Sequence, residues 1–162
     1  MDVLDRLVDY DLWATNQILE LCRPLSDAQL DQDFDIGHRT LRETLDHMIF
    51  NIEAWTAEIQ GQPIQRETDA SSIAVLADRH ERAQANFANV ARRLRDEDRL
   101  ESTFTDDWGE QMRYGGAIVH VILHSQEHRS EILHIMQRLG LTDLPEIDHG
   151  LWDHVSRSAI PT

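Results

Sequence analysis

The chain has 162 residues, of which 41% are hydrophobic and 28% are charged, and this size and composition predict one globular domain covering residues 1–162. Its formal net charge of −15 repels phosphate groups, so nucleic acid and anionic membrane surfaces are not expected partners. The single cysteine allows no internal disulfide, and the amino terminus lacks a signal-peptide pattern. No apolar run approaches the ~18 residues that span a bilayer. These features together favour a cytoplasmic location.

The first half of the chain predicts two long helices. Apolar residues recur at helical spacing over residues 3–22, and Pro24 ends that helix. A loop follows up to Arg39. Thr40–Glu43 then has the form of a capping box, which begins a second long helix that Gly61 ends.

The third long helix has the clearest pattern. Apolar side chains from Ile73 to Leu94 alternate steps of three and four over three heptads. His80 occupies one position of this stripe. We expect it to be a partly buried histidine with an ordinary hydrogen bond, rather than a metal ligand.

The last third of the chain changes period. Residues 99–115 lack helical spacing, and Trp108-Gly109 within them predicts a hairpin-like loop. A fourth long helix is predicted from Ala117 to Leu139, and a short terminal helix from about Asp143 to Arg157. Four long helices without a strong strand signal predict an all-α four-helix bundle with a short terminal helix.

Three histidines lie four residues apart in the fourth long helix: His120, His124 and His128. Residues at this spacing are only about 40° apart on one helix face. Two such imidazoles can bind one metal ion, and a ligand from another element would complete the site. The helical wheel favours His128 and His124 over His120. Spacing alone also allows ordinary hydrogen bonds to Glu127 and Glu131 instead of a metal.

The third ligand could be any histidine on a facing helix. His47 is the candidate best placed within a long helix, but it lies away from the apolar stripe of that helix, so periodicity leaves it open. The remaining histidines are expected to face solvent: His38, His134, His149 and His154.

Several stretches of the chain together carry a resemblance. Tyr10–Asn16 contains Trp-Ala followed by Asn, Thr40–Met48 contains Thr-Leu followed by His, and His124–Arg129 has the pattern His-x-x-x-His-Arg. Leu139-Gly140 ends the same helix. In this order and over nearly the whole chain, they resemble the DinB/YfiT-like family of metal-binding four-helix proteins.

The resemblance implies that His47, His124 and His128 bind a divalent metal ion, with His120 beside the ligands. Zinc and nickel suit imidazole best, and iron and manganese remain open. The resemblance also implies a homodimer, and an enzyme that transfers a low-molecular-weight thiol to an electrophilic small molecule. Glu131 departs from the family, which commonly has glutamine there. This glutamate could accept a hydrogen bond from an imidazole, act as a base or add negative charge.

Other roles follow from the same residues. Glu131 or Glu127 could be the general base that deprotonates the nucleophile. Three tryptophans could line the pocket, although aromatic residues at helical spacing are also ordinary core residues. They are Trp13, Trp55 and Trp108. Two alternatives to thiol transfer stay open: a metal-dependent hydrolase, and a non-catalytic metal-binding bundle that acts through association.

Overall fold

The computed structural model describes residues 1–67, 70 and 72–158. This part of the chain is mostly helical, as predicted, with one small sheet. Its elements are α1 (Val3–Cys22), α2 (Asp27–Leu30), α3 (Leu41–Gln60), α4 (Ile73–Asp96), β1 (Thr103–Thr105), β2 (Gln111–Arg113), α5 (Tyr114–Arg138) and α6 (His149–Ser158). No described helix is long and apolar enough to cross a membrane.

The first two long helices each begin after a residue whose side chain caps them, and for α3 this is the capping residue that the sequence predicts. Asp2 accepts a hydrogen bond from the backbone N–H of Asp5 at 2.9 Å, which caps α1. Thr40 does the same for α3, with the N–H of Glu43 at 3.0 Å. Gly61 ends α3 in the left-handed conformation, with φ +64°.

The hairpin-like loop is a two-stranded antiparallel hairpin that leads directly into α5. Phe104 pairs with Met112, and the ring of Phe104 stacks on Tyr114 with centroids 5.0 Å apart. Helix α5 therefore begins three residues earlier than predicted. Gly115, expected in the loop, lies in its first turn, where a Cβ would be only 3.1 Å from the carbonyl oxygen of Leu100.

The predicted start of the terminal helix was wrong. Helix α6 begins at His149 and not near Asp143. The carboxylate of Asp148 accepts a hydrogen bond from the backbone N–H of Leu151 at 3.0 Å. Asp148 therefore satisfies a free amide at the start of the helix, as an N-terminal cap does.

The four long helices pack in pairs around an apolar interior. Helix α1 contacts α4 and α5, and α3 contacts the same two helices. Side chains from all four are fully buried in this interior, including Ile18, Ile52, Phe87 and Ile132. The α3–α5 contact brings the second and fourth long helices of the sequence together, which is the arrangement that a shared metal site requires.

Two buried arginines also join helices. Arg129 of α5 is fully buried and donates to Asp11 of α1 at 2.5 Å. Arg79 of α4 is equally buried and donates to Asp46 and Glu53 of α3, at 2.6 and 2.9 Å. Each pair neutralises a charge that would otherwise be very unfavourable in the interior, so these contacts fix α5 and α3 relative to their neighbours.

His80 differs from the sequence prediction. It is fully buried rather than partly buried, and neither ring nitrogen has a hydrogen-bond partner among the described residues. Burial, and to a lesser degree the charge of Arg129, lowers the pKa of His80 to about 4. The ring is therefore neutral at physiological pH.

Candidate metal centre

Three imidazoles meet between α3 and α5. The Nε2 atom of His124 lies 3.1 Å from Nε2 of His47 and 3.2 Å from Nε2 of His128. The ring centroids of the three histidines are 4.3 to 5.0 Å apart. Helical spacing places His124 and His128 on one face of α5, and the packing of α3 brings His47 to that face.

The three Nε2 atoms do not carry enough protons for every contact between them to be a good hydrogen bond. His128 Nδ1 lies 2.7 Å from the Glu131 carboxylate, so in the neutral ring Nδ1 carries the proton and Nε2 can accept or ligate. His124 Nε2 carries at most one proton for two neighbouring nitrogens. Protonation does not resolve this near neutral pH, because burial, followed by the charges of neighbouring histidines, lowers the pKa of His124 to about 3 and that of His47 to about 4.

The spacing of these nitrogens fits a shared cation. Two imidazole nitrogens that bind one ion at about 2.0–2.1 Å lie about 2.9 Å apart at right angles and about 3.4 Å apart in a tetrahedron. The observed 3.1 and 3.2 Å lie between these values. The donor set, neutral imidazole nitrogen from two rigid helices, suits divalent zinc, nickel, iron or copper.

Glu131 contacts two parts of the site. Its Oε2 atom accepts from His128 Nδ1, which fixes the orientation of the ring as in many metal sites. The same carboxylate lies against Gly37 of the loop before α3, where φ is +53° and a Cβ would be 2.4 Å from Oε2. Only glycine allows this approach, so residue 37 is part of the construction of the site.

His38 also belongs to this cluster, which the sequence did not predict. It is exposed, as expected, but its ring stacks on His47 with centroids 3.7 Å apart and lies 5.4 Å from the His128 ring. A ring nitrogen from each of His38, His47 and His128 lies within 4.8 Å of the others, a separation at which the three could hold one metal ion. Burial lowers the pKa of His38 as well.

The open side of the cluster faces a cleft of about 430 Å³. His38 and His47 line it together with both acidic and basic side chains, among them Glu43, Asp46 and Arg66. The cluster is therefore accessible from solvent on the side of α3 and the preceding loop.

Aromatic residues extend from the other end of the cluster. His120 contacts the His124 ring at 5.6 Å and the Trp55 ring at 4.9 Å, and Trp55 lies 6.4 Å from Trp108 on the hairpin turn. Trp55 and Trp108 are thus linked to the histidines through His120, but neither is among the residues that line the 430 Å³ cleft. Trp13 contacts Tyr10 instead, at 6.3 Å.

A mostly helical fold and a histidine cluster that could hold a divalent metal define the class of this protein. The chain belongs to the DinB family, whose model matches residues 1–156. Among solved structures, a DinB-like protein from Bacillus cereus ATCC 10987 is similar at 24% identity, with 85% of this chain and 91% of that chain covered and a TM-score of 0.65. That likeness shows the fold alone. No curated protein matches the chain.

Proposed function

We propose that this protein is a four-helix-bundle enzyme that uses a divalent ion, held by His47, His124 and His128, to transfer a low-molecular-weight thiol to an electrophilic small molecule. The contacts of His124 Nε2 with the Nε2 atoms of His47 and His128, at 3.1 and 3.2 Å, are the observation that supports the metal site. Three imidazoles from the protein leave positions free for a substrate, which is typical of catalytic rather than structural sites.

The chemistry of the site follows from its neutral imidazole ligands and from the side of the histidine cluster that is open to solvent. A divalent ion bound there would lower the pKa of a coordinated thiol or water. Glu131 orients His128 through the 2.7 Å contact, so its carboxylate is already engaged. Glu127 is exposed one residue before His128 and is the better candidate for the general base that takes the proton of the nucleophile.

Elemental analysis of the purified protein tests the metal site. We expect about one divalent ion per chain in the wild type, retained through gel filtration, and its loss in His47→Ala, His124→Ala and His128→Ala. His134→Ala is the matched control, because His134 lies exposed on the same helix outside the cluster. Full metal content in His124→Ala would refute the ligand set.

Turnover tests the reaction. A panel of thiols and electrophiles should show a reaction that requires both the loaded metal and the added thiol. A reaction that requires metal but no thiol would assign the protein as a metal-dependent hydrolase. If the histidine variants remain folded and no panel member reacts with the loaded wild type, a non-catalytic metal-binding bundle is the better description.

We also propose that the protein is a homodimer. Val119 and Leu123 on α5 are 49% and 57% exposed, and Val3 of α1 is 72% exposed. Val3 and Val119 border a largely apolar cleft of about 760 Å³ between the two helices. Sedimentation equilibrium of the wild type and of Leu123→Glu tests this proposal: the wild type should have twice the chain mass and the variant should dissociate.

A further inference from the structure

We propose that His38 is a fourth imidazole ligand of the metal centre, delivered by the loop between α2 and α3, and that an incoming thiol displaces it. The inference rests on the proposed metal site of His47, His124 and His128. The inference adds one ligand, His38, from outside α3 and α5. It also assigns to His38 the coordination position at which a thiol replaces a protein ligand.

The positions of the rings support a shared centre. Imidazoles that radiate from one ion have centroids about 4.5 to 5.2 Å apart at right or tetrahedral angles. The three helical rings are separated by 4.3 to 5.0 Å, and His38 lies 5.4 Å from His128, which is close to this range. The His124–His128 pair, at 4.3 Å, is slightly below this range, and the stacked pair of His38 and His47, at 3.7 Å, is well below it. A movement of His38 by about 1 Å away from His47 would bring this pair to ligand spacing.

The loop is built to hold His38 at this place. Residues on both sides of it adopt left-handed backbone conformations, Gly37 with φ +53° and Arg39 with φ +73°. For a residue with a Cβ, such as Arg39, this conformation is unfavourable. Backbone hydrogen bonds retain it: Phe34 N–H donates to the Arg39 carbonyl at 2.8 Å, and Thr40 N–H donates to the His38 carbonyl at 2.9 Å.

Phe34 and Gly37 attach the loop to α5. Phe34 is buried, with 5% of its surface exposed, and the guanidinium of Arg138 in α5 lies 4.9 Å from the centroid of its ring. Gly37 lies against the Glu131 carboxylate that holds His128. The backbone on both sides of His38 is therefore fixed, and the freedom that remains is mainly that of its own side chain.

His38 is also the ligand that can leave most easily. His47, His124 and His128 are all partly or largely buried between two long helices, whereas His38 is exposed at the edge of the 430 Å³ cleft. His47 also lines the cleft but is half-buried, so His38 is the more accessible of the two rings to a thiol that enters there. The exchange is redox-neutral: sulfur replaces the His38 nitrogen, and the thiol proton passes to solvent.

Cobalt binding tests the ligand directly, without any assay of turnover. Co²⁺ is titrated into metal-free wild type, His38→Ala, His124→Ala and His134→Ala, with a competing chelator for affinity and visible absorption for coordination. We expect His38→Ala to bind Co²⁺ about 10–100-fold more weakly than the wild type, with a changed visible spectrum. His134→Ala should match the wild type in both.

The variants separate this inference from the proposed function. If His38→Ala matches His134→Ala in affinity and spectrum while His124→Ala loses Co²⁺, the helical site stands and His38 is not a ligand. If His124→Ala binds Co²⁺ like the wild type, the proposed metal site itself is refuted. Equal thermal unfolding of metal-free His38→Ala and wild type confirms that the exposed substitution leaves the fold intact.

A second titration tests displacement. 2-Mercaptoethanol is added to the Co²⁺-loaded proteins, and binding is followed by the near-ultraviolet absorption of the sulfur–cobalt contact. Because His38 competes for the same position, His38→Ala should bind this thiol at least about tenfold more tightly than the wild type. Equal thiol affinities would show that His38 does not occupy the position that the thiol takes.

Discussion

The buried imidazole of His80 makes the stability of this protein depend on pH. The folded-state pKa is about 4, because the ring is buried without a hydrogen-bond partner among the described residues, whereas the pKa in the unfolded chain is about 6.5. Between these values the unfolded state binds the proton and the folded state does not. The contribution of His80 to stability is therefore fully present above about pH 6.5 and is lost as the pH falls toward about 4.

The size of this effect follows from the two pKa values. At pH 7 both states are mainly neutral, and the linkage is about 0.2 kcal/mol. At pH 5 the unfolded histidine is almost fully protonated while the folded ring is not, which corresponds to about 2 kcal/mol. His80→Leu removes the titrating group and also a buried polar ring without partners, so we expect it to be at least as stable as the wild type at pH 7.

Urea unfolding of the metal-free proteins at pH 7 and pH 5 measures the difference. Between these two pH values, His80→Leu should lose about 2 kcal/mol less stability than the wild type. His134→Leu, at an exposed position, serves as the control and should follow the wild type. Equal losses in wild type and His80→Leu would refute the reasoning, because they would show that His80 takes up protons similarly in both states.

Three further outcomes are expected. Gly37→Ala should destabilise the protein by about 1–2 kcal/mol and weaken metal binding at least about tenfold, because the new Cβ displaces the Glu131 carboxylate. Gly61 has a similar positive φ but lies in open space, so a metal titration of Gly61→Ala should find the affinity unchanged. Asp11→Asn leaves a buried arginine without its anion, so urea unfolding should show a loss of about 3–5 kcal/mol, whereas Asp33→Asn, which breaks an exposed ion pair, should have no measurable effect. Removal of metal by a chelator should lower the melting temperature of the wild type but not that of His124→Ala.

The long helices could be predicted because local signals determine them. The apolar periods within α1 and α4 and the capping residue before α3 all agree with the tertiary structure. The start of α5 could not be predicted in the same way. Glycine has a low helix propensity, so the sequence places Gly115 in a loop. Packing of the hairpin and of Leu100 against it nevertheless favours a helical turn.

The residues of the candidate site also divide into those that local patterns could predict and those that depend on tertiary structure. Spacing on one helix gave three candidates, of which the helical wheel favoured His124 and His128. The family resemblance pointed to His47, since the wheel of α3 does not show which flank meets α5. His38 was missed because two left-handed residues, and no periodic pattern, set its position. The lack of hydrogen-bond partners for His80 among the described residues could not be predicted from the sequence either, because the partners of a buried side chain come from other helices.

The contact between His47 and His124 joins residues 77 positions apart in the chain. An ion held by both would act as a cross-link between two halves of the protein, absent from the unfolded chain. By mass action, free metal at 100 times its dissociation constant would add about 2.7 kcal/mol to the free energy of unfolding. The lifetime of this protein in a cell would then follow the local supply of metal, so that a chain deprived of its ion is more readily unfolded and degraded.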